Sequence, residues 1–231
     1  AEYIEELSEG RLSFDWPVQI NRRLTTGFDC IVSIGQVVPH EITGMANYTK
    51  NILIGTGGKE AIDKSHYLGA VYGMERILGQ TDTPVRRLLN SAAERYLGRL
   101  PILYVLTVIA QEGSPNGRLA GIFIGDSPEC FRKAAALSRS VNLHVTGTAL
   151  QTCVVHLDPA KYTNFWIGNK SIYRLRMAMA DGGKLWINAP GIGRCGEDPV
   201  IDAIVRKYGY IGTETITGLV QREKDLRENL S

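Results

Sequence analysis

The chain has 231 residues, 44% of them hydrophobic and 22% charged, with a formal net charge of +2. Those fractions are ordinary for a globular protein of one large domain or two small ones. The near-neutral charge, with no Lys/Arg cluster interleaved with aromatics, gives no case for nucleic acid, and no apolar run approaches the roughly 20 residues of a membrane span. The cysteines at 30, 130, 153 and 195 form no CxxC pair, which suits a reducing cytoplasm. Cys30 and Cys153 fall in apolar runs and read as buried thiols.

The start of the chain is acidic and polar, without signal-peptide character. Residues 2–7 read as a helix and 16–18 as a connection. Residues 30–34, CIVSI, form an apolar, β-branched run that reads as a buried strand ended by Gly35 and Pro39. His40 therefore falls just beyond the carboxyl end of a parallel strand, the edge where open α/β sheets bind ligands. Lys50 follows at the head of the apolar run 52–54. A glycine loop at 55–58, a short helical pattern at 59–64 and then His66 complete the stretch. The two histidines lack the spacing of a zinc finger or an HExxH helix. From the residues alone this is a candidate anion and cofactor pocket.

Residues 68–78 carry a helical pattern interrupted by glycines. Asp82-Thr83-Pro84 is a helix start, and the helix running to about 97 puts Val85, Leu88, Leu89, Ala92 and Ala93 on one face. Strands are expected at 101–110 and 119–124, with a turn at 113–117 between them. Residues 126–129 cap a helix to about 138. A boundary falls at 140–148, with a strand at 141–145 and a linker at 146–148, dividing the chain into lobes 1–145 and 146–231. The second lobe reads as a strand at 152–157, a helix at 168–180 stopped by Asp181-Gly182-Gly183, and a strand at 184–189. That is a βαβ unit with a parallel, right-handed crossover. Helices follow at 199–208 and from 213. The expected fold class is α/β in two lobes: a mixed or parallel sheet in the first, a Rossmann-like βαβ unit in the second, with the site in the cleft between them.

Two features of the second lobe bear on function. Residues 191–196, GIGRCG, match GxGxxG after a strand and before a helix. Glu197 and Asp198 would repel a pyrophosphate at that helix start, and the fingerprint belongs at the first strand of a nucleotide fold. The better reading is a loop whose Asp198 caps a helix, with Pro199 at its first position. On the preceding helix, Tyr173, Arg174 and Arg176 lie off the apolar face of Ile172, Leu175 and Met179. They form either a solvated basic face or a guanidinium fork for a carboxylate.

Pro39-His40, Gly44 four residues on, Lys50 ten after the His and His66 sixteen after the Lys together resemble the nickel-dependent lactate racemase family. The resemblance continues through Thr83-Pro84-Val85, residues 121–126, Tyr173 and residues 181–183. Residues 39–62, PHEITGMANYTKNILIGTGGKEAI, more narrowly resemble its sugar-acid (mannonate-type) epimerase branch. The resemblance implies a nickel pincer nucleotide, a pyridinium bisthiocarboxylate mononucleotide, tethered covalently at Lys50 with His66 as nickel ligand. Imidazole suits nickel. It implies His40 as the acid–base group for the hydroxyl proton on one face of a 2-hydroxy acid, and Tyr173 with Arg174 or Arg176 at its carboxylate.

The chain departs from the family where Arg174 and Met177 replace the Gln and Lys of a Tyr-Gln-x-x-Lys turn. It departs again where residues 46–49, ANYT, replace a Gly-Gly-Arg type run. The first departure argues against simple lactate as substrate; the second leaves the phosphate contacts of that run unassigned. Family members are longer, with an upstream DxxR-type motif and a further His. The expectation is therefore the middle and later portion of a cytoplasmic isomerase with a small hydroxy acid as partner, inactive as a racemase by itself, and open to homo-oligomerisation. Two alternatives stand beside it: a binding module or fragment without chemistry, and a metal-free enzyme that binds a nucleotide or sugar phosphate at the 55–58 loop.

Overall fold

A computed structural model describes residues 1–110 and 117–230. They form a mixed α/β structure of two compact units, residues 1–144 and 145–230.

The first unit opens with helix α1 (Glu2–Leu7), followed by a segment whose one regular element is a 3-10 turn at Arg22–Thr25. Strand β1 (Ile31–Gln36), the short strands β2 (Pro39–His40) and β3 (Gly44–Met45), and helices α2 (Thr49–Leu53), α3 (Lys59–Tyr72), α4 (Met74–Ile77) and α5 (Pro84–Tyr96) come next. Strands β4 (Ile102–Ala110) and β5 (Arg118–Gly125) and helix α6 (Pro128–Asn142) complete it. The sheet order is β1-β4-β5; β1 runs parallel to β4 from Ile31↔Ile102 to Gln36↔Thr107, and β5 pairs antiparallel to β4.

Alternation along β4 puts Tyr104, Leu106, Val108 and Ala110 on one buried face, where the first three join Val85, Leu88 and Leu89 of α5, Leu68 of α3 and Phe131 of α6 in one core. The opposite face is apolar too, yet Val32, Ile34, Ile122 and Ile124 are exposed on it. The run at 30–34 is thus not a strand buried on both faces. Cys30 lies outside the strand and is exposed, and Cys153 is only half-buried, so neither is the buried thiol its apolar neighbours implied.

Helix starts obey local chemistry. Thr83 Oγ1 accepts from the Arg86 amide at 3.1 Å and Ser127 Oγ from that of Cys130 at 3.3 Å, each with Pro in the first turn. α6 runs on to Asn142 in place of the strand expected at 141–145, because Val141 continues the face of Ala134 and Leu137 that packs on the core. The turn expected at 113–117 lies outside the described residues, except for Gly117 with φ +72°.

In the second unit, strand β6 (Leu150–His156) is followed by helices α7 (Phe165–Gly168) and α8 (Lys170–Leu175), then strand β7 (Met179–Asn188). Helices α9 (Pro199–Tyr208), α10 (Thr213–Val220) and α11 (Lys224–Arg227) complete it. β6 and β7 are parallel from Thr152↔Lys184 to His156↔Asn188, giving the βαβ unit. The helix expected over 168–180 is shorter: Asn169 separates α7 from α8, a 3-10 turn spans Arg176–Ala178, and Met179 already belongs to β7. Asp181-Gly182-Gly183 is not a helix stop but a bulge inside β7. The pairing jumps there from Leu150↔Met179 to Thr152↔Lys184, and Gly182 takes φ +74°. No helix among the described residues is long and apolar enough to cross a membrane.

Candidate active site

His40 is held by a hairpin that begins where β1 ends. The Val37 amide still donates to Thr107 O of β4, and the chain then doubles back, pairing His40 with Gly44. Gly44 has φ +78°, and a Cβ there would lie 2.0 Å from the Gln80 carbonyl oxygen. Its own carbonyl accepts from the Gly79 amide at 2.9 Å. The glycine four residues after the His is thus required both by its left-handed backbone and by the approach of the 79–80 segment. The His40 Nδ1 accepts from the amides of Ile42 and Thr43, at 3.1 and 3.3 Å. An atom that accepts two N–H groups carries no proton, so neutral His40 is protonated on Nε2.

Lys50 sits in the first turn of α2, entered through a strained corner. Asn47 and Tyr48 have φ +71° and +61°, and Tyr48 has ψ −136°, conformations worth about 1–3 kcal/mol each in a non-glycine residue. The corner is held by Arg86 of α5. Its guanidinium donates to Asn47 O at 3.2 Å, Thr49 Oγ1 at 3.1 Å and Met45 O, and lies 4.5 Å from the centroid of the Phe131 ring. Phe131 in turn stacks on Tyr48, whose hydroxyl donates to Asp126 O at 3.1 Å. Charge-assisted hydrogen bonds are worth about 1.5–3 kcal/mol each, enough to offset the corner. Arg86 is 1% exposed and has no carboxylate partner among the described residues; burial lowers its pKa to about 10, so it stays a cation at neutral pH. Its role went unread in the sequence. The available signal was a charged residue three positions before Leu89 and seven before Ala93, on a face otherwise apolar.

His66 lies inside α3, one continuous helix in place of the short pattern at 59–64. Its Nδ1 is 2.8 Å from the Ile62 carbonyl one turn back. A carbonyl only accepts, so Nδ1 carries the proton and the lone pair is on Nε2. Burial is the largest influence on its titration and holds it below the ordinary 6.5; the Lys50 cation pushes the same way, while the Ile62 contact, Asp63 and Glu41 oppose. His66 is therefore a neutral imidazole at pH 7, within electrostatic reach of Lys50 and Glu41. Glu41 is itself 9% exposed and was not singled out from the sequence.

An imidazole that donates one N–H to a backbone carbonyl and leaves its other nitrogen open is the usual state of a metal-ligating His. The His66 imidazole thus fits a group that offers it a metal. Among the described residues no three His, Cys, Asp or Glu side chains cluster as a metal site, so the other ligands would come with the group itself.

The two glycine motifs are explained by the chain's own atoms. A Cβ on Gly55 would lie 2.4 Å from Asn51 O, one on Gly57 2.1 Å from Leu53 O, and one on Gly58 2.2 Å from Gln19 Oε1. The 55–58 loop closes the end of α2, and the space over Gly58 belongs to Gln19 rather than to a phosphate. In the 191–196 motif, the amides of Cys195 and Gly196 both donate to Asp202 Oδ1, at 2.6 and 2.9 Å. Asp198 Oδ1 accepts from Val200 and Ile201 as the cap of α9. An internal carboxylate occupies the anion-seeking amides of that loop.

In the second unit Tyr173 and Arg174 are on α8 and Arg176 is in the 3-10 turn after it; Arg174 is exposed and the other two are half-buried. Met179, counted from the sequence on the apolar face of this helix, is on the following strand.

The candidate site sits in the α/β unit formed by residues 1–144. Residues 5–76, which include His40, Lys50 and His66, match the family model of the lactate racemase N-terminal domain. The chain is also similar, over its full length, to a crystal structure of a protein from Thermotoga maritima, with TM-score 0.87 and 27% identity, and spans 56% of that chain. Over 91% of its length it shares the fold of the lactate racemase apoprotein from Thermoanaerobacterium thermosaccharolyticum, with TM-score 0.67 and 19% identity, and spans 50% of that chain. The chain thus covers about half the length of each of these structures. No curated protein matches it.

Proposed function

We propose that this chain belongs to a racemase or epimerase of 2-hydroxy acids, acting on a sugar acid, with a nickel pincer nucleotide tethered at Lys50 and ligated by His66. The observation that carries the reading is the His66 imidazole: neutral, its Nδ1–H committed to Ile62, its lone pair on Nε2, and the Lys50 charge near enough to act on it. The C2–H of a hydroxy acid is too weakly acidic for a side-chain base, and the bound group would supply a hydride acceptor.

The chain's residues do the rest. Lys50 holds the group. To take the hydroxyl proton, the neutral His40 ring must turn and release the two amides that its Nδ1 accepts from; the imidazolium so formed then returns the proton to the substrate oxygen. Tyr173, Arg174 and Arg176 are proposed for the carboxylate and polyol end of the substrate, where a planar guanidinium pairs bidentately with carboxylate.

The test is expression of the protein with the cofactor-synthesis genes, followed by intact mass, a Lys50 peptide map and nickel analysis. Modified Lys50 with bound nickel, the nickel lost in His66→Ala, is the expected result. An unmodified Lys50, with a lactate racemase modified in parallel, overturns it. A loaded protein that exchanges C2 epimers of lactate but of no aldonate would overturn the sugar-acid assignment alone.

A further inference from the structure

We infer that Arg86 is a positioning residue for Lys50: it holds the Asn47–Tyr48 corner in its left-handed conformation and so sets the direction in which α2 presents the Lys50 amine. The inference rests on Lys50 being the reactive amine of the proposed site.

Three observations converge on it. The acceptors of Arg86, Met45 O, Asn47 O and Thr49 Oγ1, all lie in the five residues that end at the neighbour of Lys50. None is a carboxylate, so the guanidinium is not one half of an ion pair retained for its own stability. A buried cation with neutral partners is a costly way to hold a loop, and its Nε is buried without a hydrogen-bond partner among the described residues.

The corner also needs external support. Asn47 and Tyr48 are both at positive φ, and Tyr48 is not a residue that adopts this conformation readily. Asn47 spends its own Oδ1 on the Tyr48 amide at 2.7 Å. Its Nδ2 is buried without a hydrogen-bond partner among the described residues, 2.8 Å from where a Cβ on Gly35 would stand. Gly35 therefore admits the corner from the sheet side and Arg86 pins it from the helix side. Only a planar fork reaches carbonyls on both sides of Ala46 and the Thr49 hydroxyl together; a lysine at 86 would retain the charge and lose the geometry.

The experiment is competitive labelling of the lysines of the purified chain with acetic anhydride across a pH series, read by peptide mass spectrometry. Lys133 and Lys161, exposed and remote in sequence, serve as internal references. In Arg86→Lys and Arg86→Met, the rate of Lys50 relative to the references should change by about threefold or more, and its pH midpoint should move. Adding Asn47→Gly to either variant should recover part of the change, because glycine takes the left-handed backbone without support. A merely structural Arg86 would lower the melting temperature while leaving the Lys50 profile in the folded protein as it was, and that result overturns the inference.

Should both Arg86 variants unfold, Thr49→Val, which removes one acceptor of the fork, must shift Lys50 in the same direction by a smaller amount; an unchanged Lys50 overturns the inference there too. The outcomes separate from those of the function itself. Arg86-dependent labelling with no nucleotide at Lys50 removes the cofactor reading and leaves Arg86 its role. Nucleotide at Lys50 with Arg86-independent labelling does the reverse.

Discussion

Gly69 of α3 faces Ile42 of the His40 hairpin so closely that a Cβ on Gly69 would lie 2.9 Å from Ile42 Cγ2. The helix that carries His66 and the hairpin that carries His40 meet through a missing side chain, one turn beyond His66. Gly→Ala inside a helix ordinarily gains about 1 kcal/mol. Here Gly69→Ala should destabilise instead. In an Ile42→Ala background, itself costing about 2–5 kcal/mol, the same change should turn stabilising. Urea unfolding of the four proteins in the cycle measures the coupling; additive effects would mean that the two elements do not touch in solution.

Gly44→Ala should be much the worse of two superficially equal substitutions. Gly44 and Gly10 share φ +78°, but a Cβ on Gly10 meets nothing within 4 Å while one on Gly44 meets the Gln80 carbonyl at 2.0 Å. Gly10→Ala carries backbone strain alone, about 1 kcal/mol. Gly44→Ala adds displacement of the 79–80 segment and should cost several times that or prevent folding. Denaturant midpoints of the pair isolate the cost of the clash.

The two site histidines should hold opposite tautomers. His40 accepts at Nδ1 from two amides, and His66 donates from Nδ1 to Ile62 O. Long-range proton–nitrogen correlation NMR of the apo-protein near pH 8 should show Nε2–H for His40 and Nδ1–H for His66. The same tautomer at both would remove either the Nε2–H assigned to His40 or the Nε2 lone pair assigned to His66.

Asp202 should contribute to acid stability. The Arg206 guanidinium, aided by the Gly196 and Cys195 amides, holds its pKa down to about 2 from 3.8. The folded state therefore binds the proton less readily than the unfolded chain. Its stabilisation is present in full above pH 3.8 and is lost as pH falls through about 2. Asp202→Asn keeps an acceptor for the two amides but removes the charge, so it should lower stability at neutral pH and flatten the acid limb of the thermal unfolding curve. An unaltered acid limb would show that the loop amides do not need this carboxylate.

Thr83→Ala should cost about 1 kcal/mol as the loss of an N-cap. Its hydroxyl also lies against the Thr43 carbonyl at 3.4 Å, so Thr83→Ser, which keeps the cap, should restore most of the melting temperature.

The local code determined a good part of this protein. Caps and prolines marked α5, α6 and α9, because a side-chain oxygen and a fixed φ act within four residues of where they stand. Gly44 in the His40 hairpin was legible for the same reason, since its left-handed backbone is a local demand, whereas the approach of Gln80 to it is not.

What the sequence could not reveal is set by partners far along the chain. Residues 30–34 have the composition of a strand covered on both sides, yet only packing decides which face is covered, and Val32 and Ile34 are exposed. The glycines at 182 and 183 read as a helix stop, since glycine ends helices and makes strand bulges for one conformational reason. Which of the two occurs depends on pairing with β6, some 30 residues away. The corner before Lys50 depends on Arg86, whose acceptors lie 37 to 41 residues from it. Buried side chains act through contacts that sequence proximity does not record, and for that reason the motif of His40, Lys50 and His66 was readable while Arg86, which holds the corner beside Lys50, was not.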